Sequence, residues 1–364
     1  MARGATRLVK TATAVIACHV LIEHYEIRMQ EKLLEVLACP QCGGVLTCTA
    51  IETDSSGDIL TGQLDCEQGA HQFPINDAVP RFVPQDNYAA SFGYQWNSFK
   101  KEQIDSKNGT KLSAARFYSE TGWTKEWLKG KWVIDAGCGA GRFLDVACDS
   151  EAEVVGVDIS SAIDAARANL AGCKNVHFVQ ANICEPPFRR GAFDGCYCIG
   201  VIQHTPDPQK TMRTLPRVLR SGGRIAITAY ERKPWTIFYA KYLLRPFTKR
   251  VDKQKLLAGI RGVMPVLFPI TNLLFRLPLI GSLFMFAIPV ANYVQEKTLT
   301  PRQRFVWAIL DTFDMLSPQY DQPRTQQEVE DALSSAGIIN LKRLDNWGLN
   351  VIGEKVSTFN GEVD

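Results

Sequence analysis

The sequence predicts an α/β protein built on a doubly wound, seven-stranded and mostly parallel sheet. Three observations predict it. Between Lys131 and Tyr230, apolar runs alternate with amphipathic stretches across short connections, a rhythm that places helices on both faces of a parallel sheet. Past Gly337, IINLKRL and LNVIGEK flank Asn346-Trp347-Gly348 and read as an antiparallel hairpin closing that sheet. The first apolar run leads directly into a glycine-rich turn, WVIDAGCGAGRF, Trp132 to Phe143.

Composition sets the outer bounds. With 46% hydrophobic and 22% charged residues among 364, the chain is globular rather than disordered. A net charge of +3, with no nucleic-acid-binding motif or dense basic face, argues against a nucleic-acid partner. Eleven cysteines are scattered, some on core strands (Cys196, Cys198), which does not read as a secreted disulfide framework. The expected compartment is therefore reducing and cytoplasmic.

Residues 1–28 read as an extension outside the fold. Arg3, Arg7 and Lys10 ahead of TATAVIACHVLI outline a short secretory signal, with Cys18 in a lipobox-like place. Its apolar core is short, and Met29 opens MQEKLLEVLACP as a natural start.

Residues 29–86 form a small cysteine module with β-like runs GQLDC and HQFPI. CPQC sets Cys39 and Cys42 at knuckle spacing, and CEQGAH brings Cys66 and His71. Zinc takes four thiolate or imidazole ligands in a tetrahedron, so these four are the candidate ligands, with Cys48 less well placed. A ribbon held by core packing without metal is the competing reading. Residues 87–130, carrying FGYQWNSF and WTKEW, are linker helices whose aromatics either cover the site or pack the linker.

The sheet domain spans 131–230 and 323–356. Its strands read WVIDA, EVVGVD, VHFVQ, FDGCYCIG and RIAITAY, with TLPRVLRSGG as the helix before the last. TQQEVEDALSSAG starts on Thr325 and stops at Gly337, as helices do.

Residues 231–322 interrupt this rhythm as an apolar helical insertion. Residues 262–295 hold one charge, Arg276, and LPLIGSLFMFAIPVANYV is uncharged for eighteen residues. Pro265, Pro269, Pro278 and Pro289 divide the stretch, so no long uninterrupted helix is expected. Lys241 to Arg261 carries seven basic residues and one acid, Asp252. Two readings stand together: a lid over the site, and peripheral membrane contact through 241–295. DTFDMLSPQYD, Asp311 to Asp321, sets polar groups among aromatics and reads either as a pocket wall or, for Asp311, as a helix face.

The glycine turn separates two cofactors. A nicotinamide fingerprint needs a third glycine where this chain has Arg142. The pattern is instead Asp135-x-Gly137-x-Gly139-x-Gly141, which resembles the form class I methyltransferases use for S-adenosylmethionine, a cofactor that needs bare backbone beside its methionine moiety. Asp158 ends EVVGVD, where an acid accepts hydrogen bonds from ribose hydroxyls, and Asn182 in VQANI stands where a side chain meets the adenine amino group.

The order DAGCGAGRF, VVGVDIS, VHFVQANI, FDGCYCIGVIQHTPD and VLRSGGRIAI resembles the successive motifs of class I S-adenosylmethionine-dependent methyltransferases. The likeness extends to the bacterial type with an N-terminal zinc-ribbon-like module and an FGYQW linker. It implies a Rossmann-like fold with Asp135, Gly137, Gly139, Gly141, Asp158, Ile159, Asn182, Ile183 and Gly200 around the cofactor. Asn182 departs from the family's more common Asp. Gly69 departs too, standing where the family's ribbon has a cysteine.

The resemblance implies in-line methyl transfer to a small-molecule or lipid-linked acceptor. His204, in VIQHTPD after the fourth strand, is either the base for an acceptor hydroxyl or a histidine that holds its loop. The alternative function is a non-catalytic module that uses the cysteine ribbon as a partner interface. Oligomeric state is not legible.

Overall fold

A computed structural model describes residues 29–357 apart from 54, 56, 58, 85, 86 and 347. The expectations for residues 1–28, and Trp347 at the hairpin tip, lie outside the described residues.

Helix α1 (Met29–Val36) leads through a knuckle into an antiparallel sheet of β1 (Leu46–Thr53), β2 (Ile59–Cys66), β3 (Gln72–Asn76) and β4 (Val79–Pro80). Leu64 and Cys66 on β2 and Phe73 and Ile75 on β3 are buried at alternate positions, the pattern of strands with one wet face. The linker folds as α2 (Ala90–Ser98), α3 (Asp105–Asn108), α4 (Leu112–Thr121) and α5 (Lys125–Leu128).

The domain then runs β5 (Trp132–Ala136), α6 (Arg142–Cys148), β6 (Glu153–Asp158), α7 (Ala162–Asn169), β7 (Val176–Gln180), β8 (Phe193–Ile199), α8 (Pro208–Thr214) and β9 (Leu219–Ala229). The insertion holds a 3₁₀ turn at Thr236–Phe238, α9 (Ala240–Thr248), α10 (Lys253–Leu274), α11 (Gly281–Ala287) and α12 (Pro301–Leu316). Helix α13 (Gln326–Ser335) and strands β10 (Ile338–Arg343) and β11 (Leu349–Lys355) complete the described chain.

The larger sheet has the order β10-β11-β9-β8-β5-β6-β7, with only β11 antiparallel to its neighbours. All seven expected strands are present. Every residue of β7 and β8 is buried, as in parallel strands covered on both faces. The strand order reverses between β5 and β8, and the crevice beyond their carboxyl ends is where such sheets hold ligands.

The cysteine module docks on the β7 side. The Phe82 N–H donates to the Gln180 carbonyl at 2.8 Å, and the Ala38 N–H to that of Pro187 at 2.9 Å. Glu153 pairs with Lys32 at 2.7 Å and with His177 at 3.0 Å. His177, and then Lys32, hold its carboxyl low, at about 2. Leu33, Leu37, Phe188 and Phe193 share one core, so module and domain are continuous in their packing.

Three details differ from the sequence reading. TLPRVLRSGG is not one helix: Thr214 ends α8, Leu215–Val218 coils as a 3₁₀ turn, and β9 begins at Leu219 opposite Phe193. Gly222 there takes φ +72°, which no right-handed helix accommodates. Helix α10 runs unbroken for 22 residues through Pro265 and Pro269. The carbonyls these prolines leave without a helical N–H partner belong to Arg261 and Pro265, both exposed residues on the side open to solvent, while Leu257, Ile260 and Met264 keep the inner face packed. Finally, Cys148 and Cys173 form a disulfide that ties the end of α6 to the turn after α7; the other described cysteines are free.

Candidate active site and metal centre

The turn after β5 is shaped by glycine. Gly137 takes φ +98°, and a Cβ on it would meet the Val201 side chain at 2.5 Å. Val201 follows β8, so this glycine lets the loops of the two strands close on one another at the reversal point. Gly139 takes φ +53° and lies under the Trp96 indole, whose Nε1 would stand 3.0 Å from a Cβ.

The Gly139 N–H donates to Asp158 Oδ2 at 2.9 Å, and the Ser160 N–H and hydroxyl donate to Oδ1 at 2.8 and 2.6 Å. Burial pushes the Asp158 carboxyl up, while these bonds favour its charged form.

A cavity of about 900 Å³ opens on this turn. Gly137, Gly139, Asp158, Ile159, Ile183 and Gly200 line it, as does His204. Three predicted residues stand off the wall. Asp135 is buried on β5, where desolvation pushes its carboxyl well above the usual range. Gly141 serves packing, since its Cβ would meet Leu170 at 3.0 Å and Ala166 at 3.4 Å. Asn182 spends its Oδ1 locally, accepting from the Cys184 N–H at 3.0 Å.

The FGYQW aromatics divide between the two roles weighed for them. Phe92 and Trp96 line the cavity, while Tyr94 packs on Phe313 of α12 at 6.1 Å between ring centroids. Gly93 fits α2 against the turn after β6, because a Cβ would meet Ser161 Oγ at 2.5 Å.

His204 closes a 3₁₀ turn after β8. Its Nδ1 lies 2.9 Å from the Tyr320 carbonyl oxygen. Nε2 is buried and has no hydrogen-bond partner. The ring sits between those of Phe92 and Tyr230, at 5.1 and 5.5 Å.

Charged groups also line the cavity, among them Arg116, which sequence reasoning missed. Arg116 Nε donates to Glu120 at 2.7 Å; this i,i+4 pair on α4 was the available signal. Arg142 donates to Ser113 Oγ at 3.0 Å and Gln103 Oε1 at 2.9 Å. Burial, and then Arg116, pull its guanidinium down to about 10. Asp311 accepts from the Tyr293 hydroxyl and from Gln103; burial, and then Asp314, push its carboxyl up to about 6. The expectation that this segment reaches the pocket is met by Asp311, Asp314 and Met315. The insertion supplies the remaining apolar wall through Tyr239, Met285, Phe286, Ile288 and Pro289.

In the module, donor atoms of Cys39, Cys42, Cys66 and His71 all lie within 4.8 Å of one another. Cys39 Sγ is 3.4 Å from His71 Nδ1, and Cys42 Sγ is 3.4 Å from Cys66 Sγ. A tetrahedral zinc with thiolate bonds near 2.3 Å sets its donors about 3.8 Å apart, so the set fits that ion. A Cβ at Gly69 would fall 2.9 Å from the His71 ring. The imidazole thus occupies the space beside position 69. Cys48, on β1, is not in the cluster.

Residues 134–227 match the family model described as a methyltransferase domain. They form a class I methyltransferase domain. Residues 30–77 match the Trm112p-like protein model, so this domain follows a Trm112p-like module on the same chain.

A ubiquinone biosynthesis O-methyltransferase of Acinetobacter baumannii is 28% identical over 130 residues, 34% of this chain and 55% of that protein. An O-methyltransferase of Aspergillus nomiae is 29% identical over 121 residues, 32% of this chain and 54% of that protein. The chain spans about half the length of the curated relatives it matches. The 1,6-didemethyltoxoflavin-N1-methyltransferase of Burkholderia thailandensis superposes with a TM-score of 0.39 and 17% identity, over 79% of this chain and 96% of that one. So loose a likeness carries nothing further.

Proposed function

We propose that this chain transfers a methyl group from S-adenosylmethionine to a hydroxyl of a small, largely apolar acceptor, free or lipid-linked. The observation that carries the reading is a continuous cavity that joins the glycine turn to the apolar insertion, with His204 Nε2 unpartnered and buried beside it. Relatives named as O-methyltransferases support oxygen as the receiving atom.

Gly137, Gly139, Asp158, Ile159, Ile183 and Gly200 would hold the cofactor. Asp158 would accept from the ribose, and the glycines would leave room for the methionine moiety. When bound, the cofactor supplies a methyl carbon already made electrophilic by its sulfonium. The protein's part is alignment, exclusion of water and management of one proton.

Since the Tyr320 carbonyl can only accept, His204 carries its hydrogen on Nδ1 and keeps the Nε2 lone pair for the acceptor's proton. Trp96, Phe92 and the insertion's side chains shield the reacting groups. The alternative, a non-catalytic module acting through its cysteine ribbon, predicts no cofactor binding.

Calorimetry with S-adenosylhomocysteine and with NAD separates the readings. Binding of the first alone supports the proposal, and binding of neither overturns it. A structure with S-adenosylhomocysteine bound would then show which acceptor the remaining space admits.

A further inference from the structure

We infer that the outer face of the insertion seats on an anionic lipid bilayer, and that the acceptor enters the cavity from that bilayer on an apolar tail. The second half rests on the methyltransferase reading; the first half does not.

The insertion shows water what proteins ordinarily bury. Ile237, Phe238, Leu243 and Phe247 are 62–70% exposed, and Val266, Leu273, Leu279 and Leu283 are 62–97% exposed. Monomers rarely leave so many large apolar side chains outside on consecutive elements without an interaction to cover them. The elements adjoin: the rings of Tyr239, beside the 3₁₀ turn, and Phe286, on α11, are 4.3 Å apart.

Charge chooses the occupant. Residues 232–295 hold ten basic residues and one acid, Asp252, whose carboxylate is engaged in capping α10. Arg250, Lys255, Arg261 and Arg276 are all exposed. Apolar side chains bordered by cations of one sign match acyl chains beneath anionic headgroups.

The same face meets the cavity. Trp235 and Met285 line the cavity yet are 51% and 41% exposed, so its mouth lies among the apolar residues. A tail-bearing acceptor seated there reaches the site without carrying its tail through water.

Helix α10 has the length and apolarity to cross a membrane. Leu257, Ile260 and Met264 are instead packed in one core with Leu310 and Phe313 of α12. That packing leaves α10 lying on the protein, with one side free for an interface.

The test floats the full chain with vesicles of phosphatidylcholine plus phosphatidylglycerol, and with phosphatidylcholine alone. Wild type is expected to float with the anionic vesicles and to lose at least about tenfold in bound fraction on neutral ones. Leu243→Asp with Phe247→Asp lies outside the cavity wall and is expected to abolish flotation while S-adenosylhomocysteine binding, read by calorimetry, stays unchanged. Arg250→Glu with Lys255→Glu is expected to weaken flotation at least about tenfold.

Wild type that fails to float overturns the inference. So does an aspartate variant that floats like wild type, or a soluble dimer that this variant turns into monomers. Flotation without S-adenosylhomocysteine binding upholds docking and overturns the proposed function instead.

Discussion

His204 Nδ1 lies 2.9 Å from the carbonyl oxygen of Tyr320, and this one contact decides which side of the ring is basic. A carbonyl accepts and never donates, so the proton sits on Nδ1 and the lone pair on Nε2. Tyr320 belongs to the segment just after the insertion's last helix, 116 residues along the chain. The insertion therefore does more than wall the cavity, because it delivers the group that sets the tautomer.

Replacing His204 with Ala is expected to lower kcat between about 10²- and 10⁴-fold, the range for a positioned base. Cofactor affinity is expected to stay as it was, because that half of the cavity is built by other residues. Steady-state kinetics beside calorimetry checks this. A kcat loss smaller than about threefold would leave His204 with a loop-holding role.

Asp158 joins the tip of β6 to the glycine turn through the Gly139 N–H. Asp158→Ala is expected to weaken S-adenosylhomocysteine binding roughly ten- to a hundredfold, the worth of charge-assisted hydrogen bonds. Asp158→Asn keeps one accepting oxygen and is expected to fall between the two. Equal affinity for all three proteins would remove Asp158 from the cofactor's set.

The cysteine cluster is expected to hold about one equivalent of zinc per chain in protein purified without added metal. Elemental analysis measures it, and less than about a tenth of an equivalent sinks the assignment. His71→Ala is expected to lower the content sharply. Cys48→Ser is expected to leave it unchanged, because Cys48 stands outside the cluster.

Asp311 predicts a pH dependence. Its folded carboxyl lies at about 6, above the unfolded value near 3.9. Between those values the folded state binds more protons than the unfolded one. This group's contribution to stability is therefore full below about 4, falls as pH rises, and reaches its low plateau above about 6. Asp311→Asn is expected to raise stability at pH 7.5 by on the order of 2 kcal/mol, discounted for partial exposure to the cavity. It is also expected to flatten this part of the profile. Thermal unfolding of both proteins across pH 4 to 7.5 checks the sign, and a variant less stable at pH 7.5 would contradict it.

Much of the fold was legible because its signals are local. A β-strand buried on both faces must be apolar throughout, and a turn crossing from β5 toward Val201 must use glycine; both leave marks within a dozen residues. The cysteine and histidine cluster was legible for the same reason, since the cysteine spacings report the knuckle. His71 could be named, although the space it fills beside Gly69 could not.

Misreadings arose where a local rule met a distant partner. Pro265 and Pro269 argued against a long helix, yet packing on α12 carries α10 through them, with the defects on a face that water reaches. LRSGG reads as a helix end, yet Leu219 pairs with Phe193 and joins the sheet. Gly141 and Asn182 belong to the motifs but turn to packing and to a local hydrogen bond. Arg116 gave little sign of itself, because a cavity wall is a property of space.

By itself the sequence determined the doubly wound sheet, the glycine turn, the acid at Asp158 and the cluster of three cysteines with His71, since each is written in spacing within one or two elements. Only the tertiary structure decided that His204 Nδ1 meets the Tyr320 carbonyl, that Arg142 and Asp311 share a wall, and that the insertion buries one side of α10 while exposing the other. Those outcomes depend on atoms brought together from positions as far as 208 residues apart, and side-chain geometry at that range is set by packing, which no local pattern records.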